Sequence, residues 1–343
     1  MYLVTGYPRL LARRMAEALA PKGPVLLLVR EKHVAAAREF ASTLGDARVL
    51  EGEASAMHLG LATAEYRELA EACTDVVHAD EWTQLAADRP TLERVNVEGT
   101  RAVLELAQDC RRLRRLTHFS TVMVSGDRVG VVAEDELSFG QSFRNFYEET
   151  KFEAEVLVRR AMGRIPCTVL RPGIIVGDSR TGEIDRLDGP YLVAGILLSA
   201  PAQVPLPLPG DGVAPLNVVP IDYVVRAAVA IHHDPRAVGR TFHVVDPNPS
   251  SSRRVYERVA ESEGRKLPRL SLGYKLTDKL LRLPGLERLT REQRMAFASV
   301  NHLGFYSSRN TLEILDGTGI RCPPIESYLD KLIDFARVKL RAP

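Results

Sequence analysis

The first half of the chain alternates short apolar runs with longer stretches whose apolar residues recur every three or four positions. Tyr2–Thr5, Pro24–Val29, Ala47–Leu50, Thr74–His78, Arg115–Ser120 and Cys167–Leu170 have the length and apolar content of buried strands. Between them, Leu10–Leu19, Glu31–Leu44, Leu92–Asp109 and Tyr147–Met162 carry the helical period. Such alternation predicts βα units on a parallel sheet, and six strands of this kind predict a doubly wound α/β nucleotide-binding fold.

After Gly177 the pattern changes. Residues 178–215 are rich in proline and glycine and end in Pro-Leu-Pro-Leu-Pro-Gly-Asp-Gly at 205–212. A helix over Ile221–Ile231 and a strand over Thr241–Val245 read as one more unit of the main sheet, and 250–343 reads mostly as amphipathic helices. The expected division is a Rossmann domain of residues 1–177 plus 216–248. A smaller, mostly helical and discontinuous substrate lobe would then comprise 178–215 plus 249–343.

At 343 residues, one large domain or two are both open. The formal net charge of +2, from 46 basic and 44 acidic residues, argues against nucleic acid as the partner. Cys73, Cys110, Cys167 and Cys322 stand singly, which argues against a zinc site or disulfide framework and for a reducing compartment. No basic segment precedes an apolar core at the start, and the longest apolar run, Tyr191–Ala202, is too short to span a bilayer. A soluble, cytoplasmic protein is expected.

Candidate chemistry begins at Val4-Thr5-Gly6-Tyr7-Pro8-Arg9-Leu10-Leu11-Ala12, where the first strand turns into the first helix. A helix N-terminus there offers free N–H groups to a pyrophosphate, and glycine lets the backbone approach it. Against the pattern T-G-x-x-G-x-x-G/A, Thr5, Gly6 and Ala12 match, but Arg9 stands in place of the middle glycine. Arg9 would either crowd the pyrophosphate or pair with the 2′-phosphate of NADP, which suits a guanidinium fork. Arg30, at the end of the second strand, favours NADP over NAD, or is simply a solvated charge. Glu53 is placed to accept from the adenine amino group, and His78-Ala79 to pass beside the adenosine and pyrophosphate, with His78 more simply a core histidine. Asn96 either ties the cofactor-side loops together or caps a helix.

In Tyr147-Glu148-Glu149-Thr150-Lys151 the i,i+4 spacing puts Tyr147 and Lys151 on one helical face. A lysine ammonium and a nearby nicotinamide charge favour the phenolate and are together expected to lower the tyrosine pKa toward the working range. The partner hydroxyl comes from Phe119-Ser120-Thr121-Val122 at the C-terminal edge of the fifth strand. Thr121, 26 residues before Tyr147, would bond a substrate carbonyl oxygen, with Ser120 as its rival, or the hydroxyl simply makes an ST-turn at the strand end.

The run of Thr-Gly-x-x-Arg-x-x-Ala, Asn96-Val97-Glu98-Gly99-Thr100, Phe119–Gly126, Tyr147–Lys151 and Leu170–Glu183 resembles the extended short-chain dehydrogenases/reductases over nearly the whole chain. Arg171-Pro172-Gly173-Ile174-Ile175-Val176-Gly177 through Glu183 is similar to their thioester-reductase and fatty acyl-CoA reductase (male-sterility-like) branch. So are Val219–Val225 and the ending Gly319–Pro324. The resemblance implies a Thr121–Tyr147–Lys151 triad, in which Tyr147 supplies the proton, Thr121 stabilises the oxyanion and Lys151 holds the nicotinamide ribose, with NADPH bound also by Tyr147, Thr5, Gly6 and Leu10 and the nicotinamide flanked by Pro172-Gly173. Hydride would reach the carbonyl of an acyl thioester, carried on coenzyme A or an acyl carrier protein, or of the derived aldehyde. A homodimer is the family's habit. An NADP-dependent alcohol dehydrogenase or ketoreductase, or a nucleotide-sugar enzyme, would keep the same triad. A reading of another class, motivated by Arg9, is a non-catalytic NADP-sensing or scaffold protein.

Two further features have bland and functional readings. The basic run Arg111–Arg115 would dock a carrier or coenzyme A, or solvate a helix end. The amphipathic stretch over 270–300 would lie on a membrane surface or pack on the substrate lobe.

Overall fold

The computed structural model describes residues 1–192, 195, 212–262, 264 and 302–341. In chain order the first half runs β1 (Tyr2–Thr5), α1 (Leu10–Leu19), β2 (Val25–Val29), α2 (Val34–Ser42), β3 (Ala47–Glu51), α3 (Thr63–Ala72), β4 (Asp75–His78), α4 (Gly99–Asp109) and β5 (Arg115–Phe119). Then come β6 (Gly130–Val132), α5 (Phe146–Ala161), β7 (Cys167–Pro172), β8 (Ile174–Val176), β9 (Val218–Pro220), α6 (Ile221–His233) and β10 (Thr241–Val244). The chain closes with α7 (Ser252–Ser262), β11 (Gly304–Tyr306), α8 (Arg309–Leu315) and α9 (Leu329–Arg341).

All six expected strands join one parallel sheet, and β10 adds a seventh, in the order β10-β7-β5-β4-β1-β2-β3. The order reverses between β1 and β4, which opens a crevice beyond their C-terminal ends where ligands of such sheets bind. Both faces of the sheet are covered. Leu10, Met15 and Leu19 of α1 pack with Leu27, Val77 and the α6 residues Val224 and Ile231 on one side. Val103 and Leu106 of α4 pack with Val158 of α5, Leu116 and Val169 on the other. Deleting a fully buried leucine such as Leu19 or Leu27 costs about 2–5 kcal/mol, so these layers hold the crevice rigidly.

A smaller apolar cluster joins Val176, Ile184, Tyr191 and Leu216 to Val255, Tyr256 and Val259 of α7 and to Leu332, Ile333 and Ala336 of α9. Ile314 and Leu315 of α8 belong instead to the sheet's own core, so the C-terminal part of the chain contributes to both. Most of Tyr191–Ala202, residues 205–211 and the amphipathic stretch 270–300 lie outside the described residues.

Three details depart from the sequence pattern. The predicted helix Glu31–Leu44 opens as a 3-10 turn, Glu31–His33, and ends at Ser42. The predicted helix Leu92–Asp109 contains a π-helical turn, Glu93–Glu98, whose extra residue per turn brings Val95, Asn96 and Val97 all inward. The basic run is partly committed to structure: Arg114 pairs with Asp75, and the buried Arg115 bonds Thr168 and the Asp234 carbonyl. Arg115 begins β5, at the end of the sheet opposite the crevice.

Candidate active site

Gly6 leaves β1 with φ +101°, and a Cβ there would stand 2.6 Å from the Ala79 carbonyl oxygen. Only glycine allows that approach of the two strand ends. Thr5 and His78 lock the same junction. The Thr5 hydroxyl meets His78 Nδ1 at 2.8 Å and accepts from the Asp80 amide, while His78 Nε2 meets Thr100. His78 is thus a satisfied core histidine, and burial pushes its pKa down to about 3. Ala79 is the part of that pair that reaches the crevice.

Arg9 caps α1 without a side-chain cap bond. Its Nε instead donates to Asp185 at 3.0 Å and its Nη1 to Thr83 at 3.0 Å. The same Asp185 oxygen accepts from the Leu10 amide at 3.1 Å. A carboxylate therefore sits on the N-terminus of α1, where the helix dipole and free N–H groups favour an anion. Burial works against the Arg9 charge, but Asp185, Glu81 and Asp188 outweigh it and raise the pKa. With the glycine approach and an anion seat already filled by a stand-in carboxylate, the residues present fit a dinucleotide pyrophosphate.

Arg30 lies in a separate cluster and shares neither Asp185 nor Thr83 with Arg9. It pairs with Asp80 at 3.2 Å and Glu53 at 3.5 Å. Glu53 is bonded by Ser55 and Arg94 as well; against burial, these bonds hold its carboxyl below the usual range. Asn96 is no helix cap: its Oδ1 accepts from the Trp82 amide at 2.8 Å and its Nδ2 donates to Thr150 at 3.1 Å. It ties the loop after β4 to α5.

Beyond these lies a cavity of about 140 Å³, walled by Arg9, Ala79, Glu81, Thr121, Tyr147, Pro172, Gly173 and Asp185, with Leu11, Leu85, Met123, Ile174, Ile184 and Ile221 as apolar lining. Ser120 and Thr121 divide their tasks. The Ser120 hydroxyl donates to buried Glu155 at 2.6 Å, and Glu155 is held by fully buried Arg171 at 2.7 Å. Thr121 lines the cavity with Tyr147, and its hydroxyl accepts from the Met123 amide at 3.3 Å, capping the turn after β5. Lys151, 1% exposed, donates to the Phe119 carbonyl at 2.7 Å and pairs with Glu81 at 3.0 Å. The Tyr147 hydroxyl donates to the same Glu81 oxygen at 3.4 Å.

The electrostatics run against the sequence expectation. The Tyr147 pKa is raised well above its usual value, first by burial and then by the Glu81 charge. The Thr121 hydroxyl and the Arg9 charge offset this only in part. Pairing with Glu81 takes up the lysine charge that was expected to favour the phenolate.

Residues 5–228 match the NAD-binding family model described as Male sterility protein. The chain belongs to this family. It is 26% identical to "Fatty acyl-CoA reductase wat" of Drosophila melanogaster over 243 residues, which are 63% of this chain and 44% of the fly protein. It is 26% identical to "Isonitrile lipopeptide synthase" of Streptomyces coeruleorubidus over 294 residues, 80% of this chain but 19% of that protein. The chain thus spans less than half the length of either relative. The terminal R domain from the myxalamid PKS-NRPS biosynthetic pathway superposes with a TM-score of 0.83 at 26% identity, covering 100% of this chain and 92% of that one. Fold and family together place the chain in the extended short-chain dehydrogenase/reductase superfamily, with a nucleotide-cofactor site. Among the described residues no helix is long and apolar enough to cross a membrane.

Three site residues of this male sterility family protein escaped the sequence reading. Asp80 and Glu81 follow the end of β4, and two acids at the C-terminal edge of a strand beside the switch point were a usable signal. Asp185 gave none, because it reaches α1 from a segment 175 residues away.

Proposed function

We propose that this protein is an NADPH-dependent reductase of acyl thioesters, or of the derived aldehydes, with the acyl group carried on coenzyme A or an acyl carrier protein. The observation that carries this reading is that Thr121 and Tyr147 line one largely apolar cavity at the switch point, with Lys151 buried behind it and joined to Tyr147 through Glu81. A relative named a fatty acyl-CoA reductase and a superposing R domain of a peptide-polyketide pathway support the substrate class. The apolar lining suits an acyl chain better than a sugar nucleotide, whose hydroxyls need polar partners. The small cluster around Val176, Tyr191 and α7 would supply the substrate lobe.

Thr5, Gly6 and Ala79 would border the pyrophosphate, with Arg9 and the Leu10 amide bonding it once Asp185 moves aside. Arg30, Glu53 and Asp80 would surround the adenosine ribose, and Pro172-Gly173 would flank the nicotinamide, with Asn96 holding the loop between them. Bound there, NADPH would supply the hydride that forms the new C–H bond. Thr121 holds the carbonyl oxygen by a hydrogen bond. As the C=O π electrons move onto that oxygen, Tyr147 gives up its O–H proton to it. Lys151 stabilises the phenolate left behind until solvent returns a proton. With a thioester, the hemithioacetal then breaks its C–S bond, releasing thiol and aldehyde.

Tyr147→Phe tests the assignment. Turnover of acyl thioesters and aldehydes should fall by about 10²-fold or more, while NADPH affinity stays within about threefold. Retained turnover would remove Tyr147 as proton donor. If the unaltered protein binds neither NADPH nor NADH in a fluorescence titration, the scaffold reading replaces the reductase.

A further inference from the structure

We propose that Glu81 is a positioning residue for proton delivery: touching both the Tyr147 hydroxyl and the Lys151 ammonium, its carboxylate adds to burial in holding the proton on Tyr147, the form that donates to a carbonyl oxygen. The inference rests on the reductase reading.

The geometry carries it. One Glu81 oxygen lies 3.4 Å from the Tyr147 hydroxyl and 3.0 Å from Lys151 Nζ. A phenol can donate to that carboxylate, whereas a phenolate would face a like charge at the same distance. The Lys151 ammonium, the nearest cation to that carboxylate, is shared between Glu81 and the Phe119 carbonyl. These contacts favour the proton on the tyrosine.

Other charges around the pair do not undo this. Arg9, from the β1–α1 turn, favours the phenolate but is itself held by Asp185 and Thr83, with Asp188 adding negative charge. Asp80 is engaged by Arg30. His78 and His118, on β4 and β5 beside Lys151, are kept neutral by burial and by the lysine charge. Thr121 brings a polar hydroxyl near Tyr147 but no charge. Glu81 is therefore the carboxylate in direct contact with the proton donor.

The test needs neither cofactor nor substrate. Tyrosinate absorbance is followed against pH for the full chain, for Glu81→Gln and for Glu81→Asp, each as a difference from its Tyr147→Phe counterpart. Glu81→Gln should lower the Tyr147 midpoint by about 1–2 pH units. Glu81→Asp, which keeps the charge on a shorter arm, should retain most of the original midpoint. An unchanged midpoint in Glu81→Gln overturns the proposal, and so does an equal drop in both variants, which would mark Glu81 as packing alone. Where turnover is measured, the alkaline limit of carbonyl reduction should move down with the same midpoint in Glu81→Gln. Loss of dinucleotide binding in the unaltered protein would sink the reductase reading and leave the tyrosinate result standing.

Discussion

Replacing Asp185 by asparagine is expected to tighten dinucleotide binding. One Asp185 oxygen accepts from Arg9 Nε at 3.0 Å and from the Leu10 amide at 3.1 Å. These are the donors that a pyrophosphate would use at the first helix of this fold, so carboxylate and phosphate compete for one seat. A hydrogen bond to a charged group contributes about 1.5–3 kcal/mol when buried. The Arg9 and Asp185 side chains are 29% and 28% exposed, so screening reduces the whole contact to about 1–2 kcal/mol. Asparagine has the same shape without the charge, and most of that competition disappears. The NADPH dissociation constant should therefore fall about 5–30-fold. Calorimetry or nicotinamide fluorescence measures it directly, and adenosine 2′-phosphate, which has no pyrophosphate, serves as the control. NADPH binding that is unchanged or weaker in the variant would refute the reasoning. An equal gain for adenosine 2′-phosphate would do so too, because the effect would then be one of overall charge.

Two more predictions concern charge. Arg30→Gln should reduce the preference for NADPH over NADH by about tenfold or more, read as the ratio of two dissociation constants, since a guanidinium–phosphate contact is charge-assisted. A ratio that stays the same would remove Arg30 from 2′-phosphate recognition. Burial holds His78 and His243 at about 3 in the folded protein, against an ordinary histidine near 6.5. Below about pH 6.5 the unfolded chain binds these protons and the folded chain does not, so stability is complete above that pH and falls toward pH 3. At pH 5 each histidine costs roughly 2 kcal/mol, and denaturant titrations at pH 5 and 7.5 should show the loss. Equal stability at both values would mean that the two rings are not held neutral.

The sheet was legible because its strands are buried on both faces. Val25–Val29 and Cys167–Pro172 read as near-continuous apolar runs, and the helices between them keep one apolar stripe. Tyr147 and Lys151 were legible because four residues of helix put both on one side, where they meet the same Glu81 oxygen. The choice between Ser120 and Thr121 was not legible. It depends on Glu155, one turn beyond Lys151 on α5, and on Arg171 from β7, a long-range pair that no local pattern announces. Arg9 looked like damage to a glycine motif because the sequence does not show that its side chain leaves the turn for Asp185 and Thr83.

That departure changes what the missing glycine means. Among the described residues, the cations at the crevice are each matched by an acid: Arg9 by Asp185, Arg30 by Asp80, Lys151 by Glu81. The two arginine pairs are partly exposed and contribute little to stability. Their effect falls on binding instead. A dinucleotide entering here forms few charge contacts from nothing; it exchanges a carboxylate for a phosphate on an arginine that is already ordered. The side-chain entropy of Arg9 and Arg30 has been spent in folding, which favours binding, while the displaced acids subtract from the Coulombic gain. On the proposed cofactor placement, affinity in this crevice would therefore be set by the acids at least as much as by the bases, with Arg9 a prealigned donor whose strength Asp185 would control.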